Sequence, residues 1–239
     1  MLRRRRISSP PMCGRYTLTD PEAIRLRFTL TPMTETRIVP RFNIAPSQMI
    51  PMVVEKPVGR ALVEARWGFQ PAWMRETATR PPPINARAEG IAKSKLFRRA
   101  LERGRCLIPA DGFYEWAVVP GAKRKQPYFI RLKSGGLFGF AGLATGPSDD
   151  HPATCAIITT APNAVTGAIH DRMPVILHRD DEDCWLDPDW HDVTEIERLL
   201  QPYQAEAMEA FPVSSAVSSH VNDGPDLVAP VEMPGRLAL

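Results

Sequence analysis

The stretch RCLIPADGFYEWAVVPGAKRKQPYFIRLKSGGLFGFAGLAT, Arg105 to Thr145, is rich in aromatic and aliphatic residues and broken by Pro or Gly every few positions. Its apolar runs are too short for helices and predict strands at Arg105–Ile108, Tyr128–Leu132 and Leu137–Leu143. Lys133-Ser-Gly-Gly136 predicts a hairpin turn between the last two. Outward from it, Ala61–Trp67, Thr154–Thr160 and Val175–Leu177 also read as strands. Three helices are expected. One starts at Asp20-Pro21, with Asp20 as cap. One covers Glu89 to Arg103 and stops at Gly104, and one begins near Asp192 or Thr194. Strands outnumber helices and do not alternate with them, so an α+β class is favoured over a doubly wound sheet.

The 239 residues suffice for one large domain, and neither a repeat nor a low-complexity linker divides them. Residues 1–11 read as an appended extension, with an abrupt change at Met12 and a single domain over 12–239. No apolar run approaches the roughly 20 residues of a membrane span. The start, MLRRRRISSPP, is basic but lacks the apolar stretch of a signal peptide. A cytoplasmic protein is expected, with no membrane partner. The four cysteines show no CxxC pair, and the five histidines do not join them at zinc-ligand spacing. No metal and no cofactor are expected, and Cys106, Cys155 and Cys184 are taken as buried thiols. The net charge of +3 owes four positives to Arg3–Arg6. Arg75 to Arg105 holds nine Lys or Arg against three Glu, while Asp180 onward holds fourteen Asp or Glu against two Arg. Such a local basic stripe suits a polyanion groove, or simply a solvated helix face.

Cys13 follows Met12. If translation starts at Met12 and the methionine is removed, Cys13 carries a free α-amine beside its thiol. That amine, with an unperturbed pKa of about 7.7–8.0, is partly neutral at physiological pH and condenses with aldehydes. The thiol then closes a five-membered thiazolidine. As an internal residue Cys13 offers only an amide nitrogen, and a lone Cys is more often a small buried hydrophobe. Four further segments look specific: RFNIAP (41–46), INARAE (84–89), DGFYEW (111–116) and HDRMP (170–174). In the second, Asn85, Arg87 and Glu89 alternate. In the third, a carboxylate sits between aromatics, where desolvation raises its pKa. Each has a plainer reading: Asn85 satisfying a loop, Glu115 in a structural ion pair, His170 as a loop histidine, Thr159 as a strand residue. Trp67, Phe113, Tyr114 and Trp116 are expected in the core.

MCGRY (12–16), RFNIAP, RWGFQPAW (66–73), INARAE, PADGFYEW (109–116) and IHDRMP (169–174) occur in one order. In that order the chain, over about residues 12–230, resembles the SRAP family (SOS response-associated peptidase). The resemblance implies a single compact α+β domain, with mixed and antiparallel sheets in a barrel-like core and flanking helices. It implies a DNA-damage protein that crosslinks covalently to abasic sites in single-stranded DNA. Carried over, Cys13 is the nucleophile, Asn85 orients the N-terminus or sugar, Glu115 is the acid/base, and His170 moves protons. Arg87 and Arg172 hold DNA phosphates, and Trp73 is a base-stacking wedge. Arg15, Arg41, Asn43 and Thr159 complete the expected DNA contacts, and a monomer is expected.

The family's cysteine is residue 2, whereas here it is residue 13. Met12 is then the initiator, or a peptidase, such as the protein itself, removes the extension. Alternatively the extension stays and aldehyde chemistry is lost. Two other functions stay open. One is a thiol peptidase or N-terminal nucleophile hydrolase that processes its own N-terminus. The other is a non-covalent single-stranded DNA binder with salt-sensitive affinity.

Overall fold

In the computed structural model, residues 13–31, 38–75 and 80–232 are described; the expected extension 1–11 lies outside them. Among these residues twelve strands form: Tyr16–Leu18 (β1), Arg41–Ile44 (β2), Met49–Lys56 (β3), Gly59–Trp67 (β4), Asn85–Arg87 (β5) and Arg105–Ala110 (β6). Then come Gly112–Ala117 (β7), Gln126–Leu132 (β8), Phe138–Thr145 (β9), Thr154–Thr160 (β10), Met173–Pro174 (β11) and Met208–Pro212 (β12). The helices are short: Ile24–Arg27 (α1), Ala72–Arg75 (α2), Arg98–Arg103 (α3), Ala164–Gly167 (α4), Glu182–Leu186 (α5) and Val193–Arg198 (α6).

The α+β class holds, but the barrel-like core does not. The strands divide into an antiparallel sheet, ordered β12-β8-β7-β1-β2, and a mixed sheet, ordered β11-β10-β4-β3-β6-β9, with β5 paired to β10. The mixed sheet curls far enough for β9 to pair with β10 over four positions. Its ladder is nonetheless thin, with one paired position between β3 and β6 and two between β10 and β4. It does not close into a barrel. The physical cause is a change of sheet in the middle of the strand-rich run. β6 ends at Ala110 and β7 begins at Gly112, so the chain crosses from the mixed to the antiparallel sheet over Asp111 alone. The Asp111 carboxylate fastens this corner, accepting from the Thr17 hydroxyl and from Thr19 N–H and Oγ1 at 2.5 and 2.6 Å. Gly112 is required here, because a Cβ would fall 2.1 Å from the Phe129 ring.

The expected hairpin at 133–136 is corrected by the same division. A turn does form, with Gly135 N–H on Leu132 O at 3.0 Å and Gly135 and Gly136 at positive φ. However, β8 and β9 belong to different sheets, so the turn passes the chain between them.

The two sheets meet through aromatics. Tyr16 of β1 packs edge-on against Trp67 of β4 (5.4 Å) and Phe140 of β9 (5.9 Å), and Phe113 of β7 lies 6.0 Å from Phe140. Such pairs contribute about 0.5–1.5 kcal/mol each beyond area burial. β10 is buried along its full length, with the apolar run Cys155–Ile158 at its centre and threonines at its ends, because both faces are covered.

Three element expectations change. The helix expected over Glu89–Arg103 is broken. Ala88 N–H still extends the β5 ladder to Thr159 O, and Gly90 is left-handed at φ +73. Only a 3-10 turn (Ile91–Lys93) and α3 follow. Gly104 does end α3, for a steric reason: a Cβ there would meet Ala144 O at 2.3 Å. Val175–Leu177 is not a strand; Met173–Pro174 takes the ladder, and Ile176 makes an isolated bridge to Phe140. The helix expected from Asp20-Pro21 also begins later, at Ile24; Asp20 Oδ1 accepts from Ala23 N at 3.2 Å in the turn that precedes it. Asp192 caps α6 as expected, accepting from Thr194 and Glu195 N–H.

Candidate functional site

Cys13 lies just before β1 and is 4% exposed. Its backbone N–H donates to Glu115 Oε1 at 2.8 Å, across 102 residues of sequence. Adjacent antiparallel strands produce this contact: β1 lies beside β7, with Tyr16 opposite Phe113, so the residue leading into β1 meets the middle of β7. Cys13 adopts φ +44, the left-handed region that a side chain enters at a cost. Burial is the main reason its thiol pKa is pushed well up, with the Glu115 charge adding to it.

Glu115 is 3% exposed. Burial raises its pKa above the ordinary carboxylate value, and hydrogen bonds from Cys13 and the proximity of His170 hold the rise in check. A carboxyl so placed gives and takes protons nearer neutrality than a free one. His170 belongs to the loop entering β11. Its Nδ1 accepts from Arg172 N–H at 3.1 Å and lies 3.0 Å from Asp171 Oδ1.

Arg172 is 8% exposed. It forms a two-point ion pair with Glu89 (2.5 and 2.8 Å), and its Nη2 also donates to Thr159 O at 2.6 Å. β5 runs parallel to β10, with Asn85 opposite Ile157 and Arg87 opposite Thr159. Asn85 and Arg87 share one face of β5, and Arg87 is exposed. Thr159 is fully buried. Trp73, on α2, is 66% exposed.

Other expected DNA contacts are engaged within the fold. Arg15 donates to Asn43 Oδ1 and Val217 O, both at 2.8 Å, and to Ser218 O. The Asn43 amide donates to Ser219 O and Asn222 O. Together they clamp residues 217–222 over β2, so Asn43 is buried to satisfy these carbonyls. Arg41 donates to Met49 O at 3.1 Å and to the Gln48 side chain. The basic stripe loses one member to the interior. Arg105 is buried, its guanidinium spent on Leu101, Trp185, Asp187 and Trp190 carbonyls. Cys106 and Cys155 are buried as expected, but Cys184 is exposed. Among the described residues, no cluster of His, Cys, Asp or Glu could hold a metal ion, and no helix is long and apolar enough to cross a membrane.

Glu89 went unassigned in the sequence. Its signal was the alternation in INARAE, but its partner Arg172 lies 83 residues away and nothing local points to it.

Two sheets joined through aromatic contacts hold a buried cysteine, just ahead of β1, against a buried glutamate of β7. The family model "SOS response associated peptidase (SRAP)" matches residues 12–220. The chain belongs to the SRAP family. It is 42% identical over 222 residues to Bacillus subtilis abasic site processing protein YoqW, covering 91% of this chain and 99% of that one. It is 28% identical to Escherichia coli abasic site processing protein YedK, covering 92% and 100%. A crystal structure of a Bacteroides thetaiotaomicron protein superposes with a TM-score of 0.81 at 25% identity, over 92% of this chain and all of that one.

Proposed function

We propose that this protein captures abasic sites in single-stranded DNA by forming a thiazolidine with Cys13 as the N-terminal residue. The contact between the Cys13 nitrogen and the buried Glu115 carboxylate carries this reading. It supports Glu115 as the acid/base group for the atom that must lose protons to attack an aldehyde. The free α-amine adds to the C1 aldehyde of the ring-opened sugar and water leaves, giving an imine. The thiol then adds across the C=N bond: sulfur bonds to carbon and its proton ends on nitrogen. One water is lost overall. Glu115 takes a proton from the amine and returns one to the departing hydroxyl. His170 moves protons at the same centre, and Asn85 orients the sugar. Exposed Arg87 binds phosphate, and Trp73 offers a stacking face. Arg172 reaches a phosphate only by displacing Glu89. The relatives named for abasic-site processing support the substrate.

The test mixes protein beginning at Met12 with single-stranded DNA bearing one abasic site, resolved on a denaturing gel. A heat-stable shifted band is expected, lost in Cys13→Ala and kept in Cys106→Ala. No band, despite confirmed methionine removal and DNA binding, overturns the proposal.

A second reading, self-processing, is favoured by the same contact in the uncleaved chain, where the nitrogen held by Glu115 is the amide of the Met12–Cys13 bond. Intact mass of the incubated full chain decides it: a species beginning at Cys13 that Glu115→Gln fails to produce is the expected result.

A further inference from the structure

Among the described residues two arginines are buried, Arg105 and Arg172, each 8% exposed. They are satisfied differently. Every guanidinium nitrogen of Arg105 donates to a carbonyl. In Arg172 the two terminal nitrogens are used by Glu89 and Thr159, while the Nε–H is buried without a hydrogen-bond partner. A buried donor left unmade on a cation costs free energy, and natural folds keep few of them. Arg172 shares the loop that presents His170, its own N–H donating to His170 Nδ1 at 3.1 Å, and its charge acts on Cys13.

We propose that Glu89 is a positioning residue: its two-point grip holds the Arg172 guanidinium rigid, so that the spare Nε–H serves the reacting groups as the site's anion-binding donor. The anion is the Cys13 sulfur as it attacks, or the sugar oxygen as it departs. Planar two-point pairing is what fixes a guanidinium's orientation, which a single contact leaves free to turn. Glu89 suits the role because Arg172 holds its carboxyl below the ordinary carboxylate value, keeping it ionised at working pH. The charged groups acting on Cys13 are Glu115 from β7 and Asp171 and Arg172 from the loop before β11. His170 and Lys125 act on Glu115 in turn. Of those acting on Cys13 itself, only Arg172 favours the sulfur anion. The proposal rests on the Cys13-centred reading of the site.

The test uses full protein with a free Cys13, in a Cys184→Ser background that removes the exposed thiol. Two rates are followed: Cys13 alkylation by iodoacetamide from pH 6 to 10, and crosslinking at saturating abasic DNA. In Glu89→Gln the alkylation midpoint moves to higher pH, and crosslinking slows about tenfold, typical of losing the partner that orients a reactive-site group. Affinity for intact single-stranded DNA holds or rises, because a negative charge has gone. Glu89→Asp restores part of the rate, and Arg172→Lys behaves like Glu89→Gln. Faster crosslinking with tighter DNA binding would instead make Glu89 a competitor for phosphate at Arg172 and overturn the proposal. An unchanged crosslinking rate overturns it, as does a parallel fall in rate, affinity and melting temperature. If the parent never crosslinks, the thiazolidine reading fails, while the alkylation profile still decides the role of Glu89.

Discussion

Glu115 is where stability and chemistry pull against each other. Its folded pKa lies above the unfolded value of about 4.3, so the folded state binds its proton more tightly than the unfolded one. That contribution is fully present below the unfolded pKa and is lost as pH rises through the folded one. Glu115→Gln, which stays neutral, therefore matches the uncleaved parent in melting temperature near pH 4 and melts higher at pH 8, while crosslinking is abolished in the processed form. Thermal melts of both proteins across pH check this; a gap that does not change with pH would contradict it. Cys13 and Glu115 were each legible as candidates, one from the methionine before it and the other from its aromatic neighbours. Their contact was not, because it depends on which strands become adjacent 102 residues apart. The bonds that Arg15 and Asn43 make to residues 217–222 were illegible for a related reason. A polar residue in a motif looks the same whether it serves a ligand or a distant loop carbonyl.

At the scale of elements, the Asp111 corner decides how the chain is shared between sheets. Asp111→Ala removes the acceptor for Thr17 and Thr19 together. Hydrogen bonds to a charged group contribute about 1.5–3 kcal/mol, so a loss of roughly 3 kcal/mol is expected in urea unfolding. Because β1 also carries Cys13 into place, crosslinking should fall more steeply than stability. Long buried runs were easy to read: β10 matches its expected bounds, Thr154–Thr160, and the Asp192 cap announced α6. The three-residue β1 and β5 were missed, being too short for any period to show. The barrel expectation failed where the chain changes sheet, as at Asp111 and at 133–136, since a turn looks alike whether it joins paired strands or separates them.

Across the whole molecule, distant segments are tied by few but strong contacts. Arg27 of α1 grips Glu182 of α5 in a two-point pair at 2.8 and 2.7 Å, 155 residues apart. Glu182 is 1% exposed, so removing Arg27 strands a buried charge. Arg27→Ala is expected to cost roughly 3 kcal/mol, near the lower end for breaking a buried pair. In a chain of this size that is about 6–12 °C in melting temperature. Replacing both partners with apolar residues of similar volume should cost much less. A double mutant that melts as low as the single one would show that the pair supplies more than mutual compensation.

The left-handed turn at Cys13 has a final consequence for the chain's life history. A φ angle exists only while a carbonyl precedes the nitrogen. Once residue 12 is cut away, the torsion ceases to be defined and its penalty, roughly 1–2 kcal/mol, disappears with it. On that account the native fold is a better host for a chain beginning at Cys13 than for one that retains Met12. Protein beginning at Cys13 should melt above protein that retains Met12, a difference calorimetry can register with no DNA in the cell. Equal or reversed melting temperatures would mean that the turn stores nothing.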